Sequence, residues 1–300
     1  MTKKPPKQRG TEERNPRSLE IDRLTTPELV RVINCEDATV AVAVQKELPA
    51  IARAVDTIVD ALSRGGRLIY VGAGTSGRLA TLDAAECPPT FGVSPKRVQA
   101  VVAGGRRVLN VSVEAAEDND RQGARDLESK RITKADVVVG IAASGSTPYV
   151  MGALQLARCR GAKTIAITAN RHTAIARLAH ITIAPETGPE VVAGSTRMKA
   201  GTAQKLVLNM LSTASMIRLG HVYSNLMVDV ALTNEKLRLR GLRILQEATG
   251  VSRAEAARAL EESRNRLRVA LVMLKMRVGP QEAQRALQRS GGNLRRALGE

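Results

Sequence analysis

Five short apolar runs, separated by segments with helical periodicity, limit most strongly what this chain can fold into. They predict strands at Arg67–Val71, Val98–Val102, Asp136–Ala142, Lys163–Thr168 and His180–Ala184. Strands that alternate with helices are typical of parallel β-α-β units, and an almost wholly apolar strand is typical of a sheet covered on both faces. The sequence therefore predicts an α/β fold, with a doubly wound, mostly parallel sheet flanked by helices.

Helical segments lie on both sides of these strands. One helix is predicted to begin near Thr26, with Pro27 in its first turn, and a second near Ala38. The helices predicted after the first strand cover about residues 76–86, 107–115, 119–130 and 148–160, and then Lys199–Leu219. After Thr233 the pattern is helical to the end of the sequence.

These patterns divide the chain into three predicted parts. Residues 1–15 are polar, basic and Pro-containing, which predicts a disordered tail. Residues 16–241 contain all the predicted strands and form the main domain. Residues 242–300 form a small helical domain, in which Ser252–Glu255 matches a capping box at the start of a helix.

The formal net charge is +17, while aromatic residues make up only 1% of the chain. Residues 236–300 alone hold 15 Lys or Arg against six Asp or Glu. This surplus either attracts an acidic partner, such as a phosphorylated sugar or nucleic acid, or is a solvated basic surface. The scarcity of aromatic rings and the lack of a recognised nucleic-acid motif argue against nucleic acid as a partner.

Cysteine usage and hydropathy bear on the cellular location. Cys35, Cys87 and Cys159 are far apart and form no Cys-X-X-Cys or Cys/His pattern, so neither disulfides nor a zinc site is expected. The N-terminal residues lack the apolar stretch of a secretory signal, and no apolar run is long enough to span a membrane. We therefore expect a cytoplasmic protein that is not bound to membranes.

Two loops rich in small and hydroxyl residues, Gly72–Arg78 and Ala143–Thr147, each follow a predicted strand and lead into a helix. Backbone N–H groups and the helix dipole at such turns attract anions, and open α/β sheets bind ligands at the carboxyl ends of their strands. The candidate phosphate-binding residues are Thr75, Ser76, Ser144, Ser146 and Thr147. Either loop alone could be a tight turn that only caps its helix, but two of them in one domain favour phosphate binding.

The paired loops resemble those of the sugar isomerase (SIS) domain, which binds phosphosugars, and longer runs resemble one family with this domain. The matching runs are Glu20–Arg23, Gly72–Arg78, Leu82–Pro89, Glu114–Asp118, Val139–Tyr149, Gly194–Lys205 and Asn225–Asp229. They resemble the N-acetylmuramic acid 6-phosphate etherases from about residue 16 to the C-terminus. One position departs from the family pattern, because Ser146 stands where the family has Arg, so this side chain contributes no charge.

The resemblance implies an enzyme that converts N-acetylmuramic acid 6-phosphate and water into N-acetylglucosamine 6-phosphate and D-lactate, in the recycling of bacterial cell-wall sugar. Residues 16–241 would then form the phosphosugar-binding catalytic domain. Residues 242–300 would form a helical bundle similar to ubiquitin-associated domains. The resemblance also implies a homodimer and a reaction that needs neither a metal nor another cofactor.

By the same resemblance, Glu86 is the acid that protonates the departing lactate, and Glu117 is the base that removes the proton from C2 of the sugar. The residue pattern alone is equally compatible with structural roles, because Glu86 could be a carboxylate at a helix end and Glu117 part of an acidic surface turn. Ser195 and Lys199 are further candidates for substrate binding. Lys199 and Arg197 could equally be solvated cations at a helix start.

Three other functions are compatible with parts of the sequence. A non-catalytic phosphosugar-binding regulator would keep the two loops but would not need both glutamates. An aldose–ketose isomerase also begins by removing the C2 proton, but the runs at Leu82–Pro89 and Gly194–Lys205 favour the etherases. A nucleic-acid-binding protein is suggested only by the basic C-terminal region.

Overall fold

A five-stranded parallel sheet forms the core of the computed structural model, which describes residues 10–109, 116–230, 232 and 234–300. The strands are β1 (Leu68–Gly72), β2 (Val98–Val102), β3 (Val137–Ile141), β4 (Lys163–Ile167) and β5 (Ile181–Ile183). They lie in the order β2-β1-β3-β4-β5, and every neighbouring pair is parallel. The predicted doubly wound sheet is confirmed, and each predicted strand lies within one or two residues of an observed one.

The strand order reverses between β1 and β3, and this is where the two loops meet. All residues of both strands are buried, as their apolar sequences require of a sheet covered on two faces. Gly72 pairs with Ile141 at the carboxyl ends of the two strands. The chain leaves the sheet from adjacent strands at this point, which is where ligands bind in open α/β sheets.

The observed helices cover much of the sequence that was predicted to be helical. They are α1 (Thr26–Gln45), α2 (Leu48–Ser63), α3 (Gly74–Phe91), α4 (Asp120–Glu128), α5 (Pro148–Cys159), α6 (Ala174–Leu178), α7 (Lys199–Arg218), α8 (Glu235–Thr249), α9 (Arg253–Glu262), α10 (Leu267–Met276), α11 (Pro280–Arg289) and α12 (Leu294–Leu298). The predicted capping box of α9 is confirmed, because the Glu255 carboxylate accepts from the Ser252 N–H and the Ser252 hydroxyl accepts from the Glu255 N–H. In the described part of the chain, no helix combines the length and apolar character needed to cross a membrane.

Three helix boundaries differ from the prediction. The first helix runs on to Gln45, so the predicted new start at Ala38 is wrong, and the break falls just before Pro49 in the first turn of α2. Helix α3 continues through Pro88 and Pro89 to Phe91, although each proline lacks an N–H and its ring crowds the carbonyl group one turn earlier. Of the predicted helix 107–115, residues 105–109 form a 3₁₀ turn and residues 110–115 lie outside the described residues.

Residues 10–18 include two short turns and contact a distant segment of the chain. Gly10–Glu12 and Pro16–Ser18 form 3₁₀ turns, the Asn15 amide donates to the Pro189 carbonyl (3.2 Å) and the Ser18 hydroxyl donates to the Val191 carbonyl (2.7 Å). The predicted disordered tail of residues 1–15 is therefore wrong for residues 10–15, which are held by side-chain contacts to a distant segment. Residues 1–9 lie outside the described residues.

The chain divides into two compact units. The α/β unit contains the residues up to Ala84 together with Lys96–Ser212, and the helical unit contains Ala85–Pro95 and Thr213–Glu300. The helical unit begins well before the predicted boundary at 241/242, because Tyr223, Val228 and Val230 belong to the same apolar cluster as the helices that follow.

Candidate functional site

The first loop is short, because α3 begins two residues after β1 ends. Ser76 lies in the first turn of α3 and is buried, while Thr75 is half-buried. In the second loop, the hydroxyl oxygens of Ser144 and Ser146 lie 3.1 Å apart, and the Ser146 N–H donates to the Ser144 oxygen (3.3 Å). Thr147 is the N-cap of α5. Hydroxyl groups thus cluster at the N-termini of two helices, where an anion is stabilised.

The second loop is held by its neighbours on the β4 side. The Ala143 carbonyl accepts from the Thr168 hydroxyl (3.2 Å) and the Asn170 amide (3.3 Å). Gly145 has a φ of +70°, and a Cβ there would lie 2.5 Å from the Thr173 side chain. The loop therefore requires glycine at this position both for its backbone conformation and for space.

Glu117 lies between the two loops. Its backbone carbonyl accepts from the Tyr149 N–H (3.0 Å) in the first turn of α5. Its carboxylate lies against Gly74, the first residue of α3, where a Cβ would be 2.8 Å from Glu117 Oε1. Of the two predicted catalytic glutamates, Glu117 is thus the one that the α/β unit brings to both Ser/Thr loops.

The start of α7 packs against both loops as well. A Cβ on Gly201 would lie 3.6 Å from the Thr75 methyl group, and Ala200 forms a small buried cluster with Ala143 and Ala169. Ser195 lies just before this helix and is half-buried. The run Gly194–Lys205 is therefore next to the loops that it was predicted to join in substrate binding.

Lys199 does not point to solvent. Its side chain is 3% exposed, and its ammonium group lies 2.6 Å from Glu36 Oε2. Glu36 also accepts from the Asn15 amide (2.8 Å) and from Arg17 (3.1 Å). Burial by itself would raise the pKa of Glu36, but the hydrogen bonds from Lys199 and Asn15 and the two positive charges outweigh it, so this pKa is lowered.

Breaking this buried pair should destabilise the α/β unit. Lys199→Met removes the cation and leaves a buried carboxylate without it, so we expect the free energy of unfolding at pH 7 to fall by about 3–5 kcal/mol. Because the pKa of Glu36 is lowered on folding, its contribution is present above about pH 4.3 and is lost as the pH falls through the lowered value. Urea unfolding of both proteins at pH 7 and pH 3.5 measures the difference, which should shrink at the lower pH.

The exposed pair Arg64–Asp60 provides the control. Both of its side chains are more than half exposed, so Asp60→Asn should change the free energy of unfolding by less than about 1 kcal/mol. A loss for Lys199→Met as small as that of Asp60→Asn would show that the buried pair contributes little.

Glu190 is a residue that sequence reasoning missed. It is completely buried, and its carboxylate accepts from the backbone N–H groups of Lys199 (2.9 Å) and Ala200 (3.0 Å) at the start of α7. Burial raises the pKa of Glu190, although the two backbone hydrogen bonds oppose the shift. Its position nine residues before Lys199 is too far for a local capping motif, so the sequence carries no signal for this role.

The buried carboxylate of Asp83 holds α3 to the sheet. The Asp83 carboxylate accepts from the Tyr70 hydroxyl on β1 (2.9 Å) and from the Ser212 hydroxyl on α7 (3.0 Å). Burial raises the pKa of Asp83 despite these hydrogen bonds. The run Leu82–Pro89 thus includes an anchor for α3 as well as the predicted acid.

Glu86 is exposed on α3, in the segment Ala85–Pro95 that groups with the helical unit. Its neighbour Cys87 is buried. The structure therefore brings Glu117, the two hydroxyl loops and the start of α7 together within the α/β unit, whereas Glu86 belongs to the other unit.

Comparison with known proteins agrees with this architecture. Residues 50–158 match the glucokinase regulatory protein N-terminal SIS domain, and residues 110–214 match the SIS domain. Phosphoheptose isomerases from Francisella tularensis and Neisseria gonorrhoeae share the fold, each with a TM-score of 0.50. The alignments cover 65% and 64% of this chain and 100% and 98% of those chains, at 18% and 20% identity.

Much closer sequence relatives extend over almost the whole chain. The N-acetylmuramic acid 6-phosphate etherase of Yersinia pestis is 54% identical over 288 residues, which are 96% of this chain and 98% of that protein. N-acetylmuramic acid 6-phosphate etherase 1 of Bacillus licheniformis is 51% identical over 288 residues, 96% of this chain and 95% of the relative. The chain therefore belongs to the family of N-acetylmuramic acid 6-phosphate etherases.

Proposed function

We propose that this enzyme cleaves the D-lactyl ether of N-acetylmuramic acid 6-phosphate and yields N-acetylglucosamine 6-phosphate and D-lactate. Identity above 50% with etherases over 96% of the chain supports this substrate. The observation that carries the proposal is the position of Glu117, whose carboxylate lies against Gly74 in the first hydroxyl-lined loop and whose backbone carbonyl accepts from the Tyr149 N–H just after the second. Such a site offers a base beside an anion-binding surface.

The chemistry requires one base and one acid. In the open-chain sugar, the C1 aldehyde makes the C2 proton acidic, and its removal allows the C3–O bond to break by β-elimination. The departing lactate oxygen takes a proton, and water then adds at C3 of the unsaturated aldehyde to restore a hydroxyl group. Two carboxyl groups in different environments can perform both transfers.

We assign the base role to Glu117. Its main chain is held by Tyr149, and its side chain lies at the first residue of α3. The helix N-terminus favours a negatively charged group, and the carboxylate form is the one that accepts a proton. A sugar held by its phosphate at the neighbouring loops would present its carbon chain to this group.

We assign the acid role to Glu86, from its match to the family run and its exposed side chain on α3. The exposed carboxyl group can exchange protons with water, so it can be recharged after it protonates the lactate oxygen. The resemblance also supports a homodimer, which light scattering coupled to gel filtration would test. A phosphorylated sugar does not cross membranes freely, which supports the cytoplasm as the site of the reaction.

We assign phosphate binding to the hydroxyl groups of the two loops. Ser144, Ser146 and Thr147 directly precede α5, and Thr75 and Ser76 lie in the first turn of α3. Ser195 lies before α7, close enough in sequence to Gly201 to extend this surface. The ammonium group of Lys199 is buried in its ion pair with Glu36, so we assign it no direct contact with substrate.

Replacing Ser144 with alanine should weaken phosphosugar binding. A hydrogen bond to a charged group contributes about 1.5–3 kcal/mol, so the Kd of the product N-acetylglucosamine 6-phosphate should rise roughly tenfold or more. Isothermal titration calorimetry measures this change. Ser63→Ala, at an exposed hydroxyl that donates to the Asp60 carbonyl, is the control and should leave the Kd unchanged. An unchanged Kd in Ser144→Ala would rule out its contact with phosphate.

The proposal is tested most directly with the wild-type protein. Incubation with N-acetylmuramic acid 6-phosphate should release D-lactate, which a coupled dehydrogenase assay detects. The match of residues 50–158 to a domain of a regulatory protein keeps a non-catalytic regulator as the second candidate. Phosphosugar binding by the folded protein without any D-lactate would contradict the proposed enzyme and favour the regulator.

A further inference from the structure

We propose that Gly74 is a positioning residue for the base, because its missing side chain holds open the space that the Glu117 carboxylate occupies. This inference rests on the proposed function of Glu117. Gly74 would then be a residue of the first loop that neither binds phosphate nor transfers a proton but sets the position of the base.

The Glu117 carboxylate occupies the space where a side chain on Gly74 would begin. A Cβ on Gly74 would lie 2.8 Å from Glu117 Oε1 and 4.0 Å from Glu117 Cδ. Non-bonded heavy atoms attract best at about 3.5–4.0 Å, so the first of these distances is repulsive. The φ of Gly74 is +51°, a backbone conformation that glycine adopts without a steric penalty.

The main chain of Glu117 is held by a hydrogen bond from one of two closely packed helices. Its carbonyl accepts from the Tyr149 N–H (3.0 Å), and the Tyr149 hydroxyl donates to Asp126 Oδ2 (2.7 Å). On α4, a Cβ on Gly123 would lie only 1.9 Å from the Tyr149 carbonyl oxygen, so α4 and α5 pack backbone to backbone at this point. Because the atom that a methyl group at Gly74 would meet is the end of a flexible side chain, the carboxylate is expected to rotate away while the turn stays in place.

The position also has an electrostatic consequence. Gly74 is the first residue of α3, so a carboxylate against it lies at the positive end of an 18-residue helix. Rotation away from Gly74 would both misplace the base and move its carboxylate away from the positive end of the helix. Both effects reduce proton removal from C2, and neither removes a hydroxyl group that holds phosphate.

Gly74→Ala is therefore expected to lower kcat for lactate release by roughly 10–100-fold, because a misplacement of about 1 Å can have an effect of that size. Exchange of the C2 hydrogen with solvent deuterium should fall in parallel. The Kd for N-acetylglucosamine 6-phosphate, measured by calorimetry, should change by less than about threefold. Gly65→Ala is the matched control, since Gly65 has a φ of +88° but no atom within 4 Å of the added methyl group, and it should keep wild-type kcat.

Combining Gly74→Ala with Glu117→Asp in one protein distinguishes an effect on the position of the base from a general effect on the fold. The shorter side chain of Asp withdraws from the position of the added methyl group, so Gly74→Ala should lower kcat in the Glu117→Asp background by less than about threefold. Coupling of this kind is expected only for residues in contact. Equal losses in both backgrounds, or wild-type kcat in Gly74→Ala, would overturn the proposal. Failure of the function itself would show separately, as absence of D-lactate with the wild-type protein.

Discussion

Glu117→Gln should abolish both release of D-lactate and exchange of the C2 hydrogen with solvent deuterium. The amide keeps the size and shape of the side chain that lies against Gly74, but it cannot accept the proton. A general base contributes about 10²–10⁴-fold, so both rates should fall by that factor. Proton NMR in deuterium oxide and a lactate assay on the same samples measure the two rates.

The neighbouring Asp118 provides the control for this substitution. Asp118 belongs to the same acidic turn and is exposed, so Asp118→Asn changes the local charge by the same amount. It should retain C2 exchange and lactate release within about twofold. Equal losses in the two variants would mean that the acidic turn acts through its charge, and full activity of Glu117→Gln would remove Glu117 from the mechanism.

Glu86→Gln should separate the two halves of the reaction. If Glu86 supplies the proton to the departing lactate oxygen, its loss should lower lactate release by about 10²–10⁴-fold. Exchange at C2 should continue to a measurable extent, because Glu117 still removes and returns the proton. The same NMR and lactate measurements would then show exchange without cleavage.

Glu262→Gln, at an exposed glutamate on α9 in the helical unit, is the control and should behave as the wild type. If Glu86→Gln lost C2 exchange while Glu117→Gln kept it, the assigned roles would be reversed. Full activity in both variants would exclude a mechanism based on two carboxylates.

Much of the fold could be predicted because its signals are local. The strands are short apolar runs that end at small residues, and a buried parallel strand needs little else. The loops at Ser76 and Ser144 could be predicted as neighbours, because adjacent parallel strands place their carboxyl ends at one edge of the sheet. The break between α1 and α2 could not, because the α1 sequence from Ala38 onward favours a helix without marking that it continues an earlier one.

The surroundings of the site depend on contacts between distant residues, which no local pattern shows. The sequence around Lys199 is compatible with a solvated cation or a phosphate ligand until Glu36 is placed beside it, and these residues are 163 positions apart. The contact of Glu117 with Gly74 likewise joins an acidic turn to a glycine in another loop. The roles of Glu86 and Glu117 depend on the family resemblance, since either carboxylate alone is a common surface residue.

The network around Glu36 has a consequence for synthesis of the chain. Asn15, Arg17 and Glu36 leave the ribosome well before Lys199 and the carbonyl group of Pro189, from which they are separated by more than 150 residues. Until then, α1 carries a carboxylate whose burial lacks its main cation, so the nascent α/β unit cannot close over Glu36 without a penalty. Domains generally fold as units during synthesis, and contacts of long sequence separation form slowly. The segment that contains Asn15 and Arg17 should therefore dock only after Pro189 and Lys199 have been synthesised.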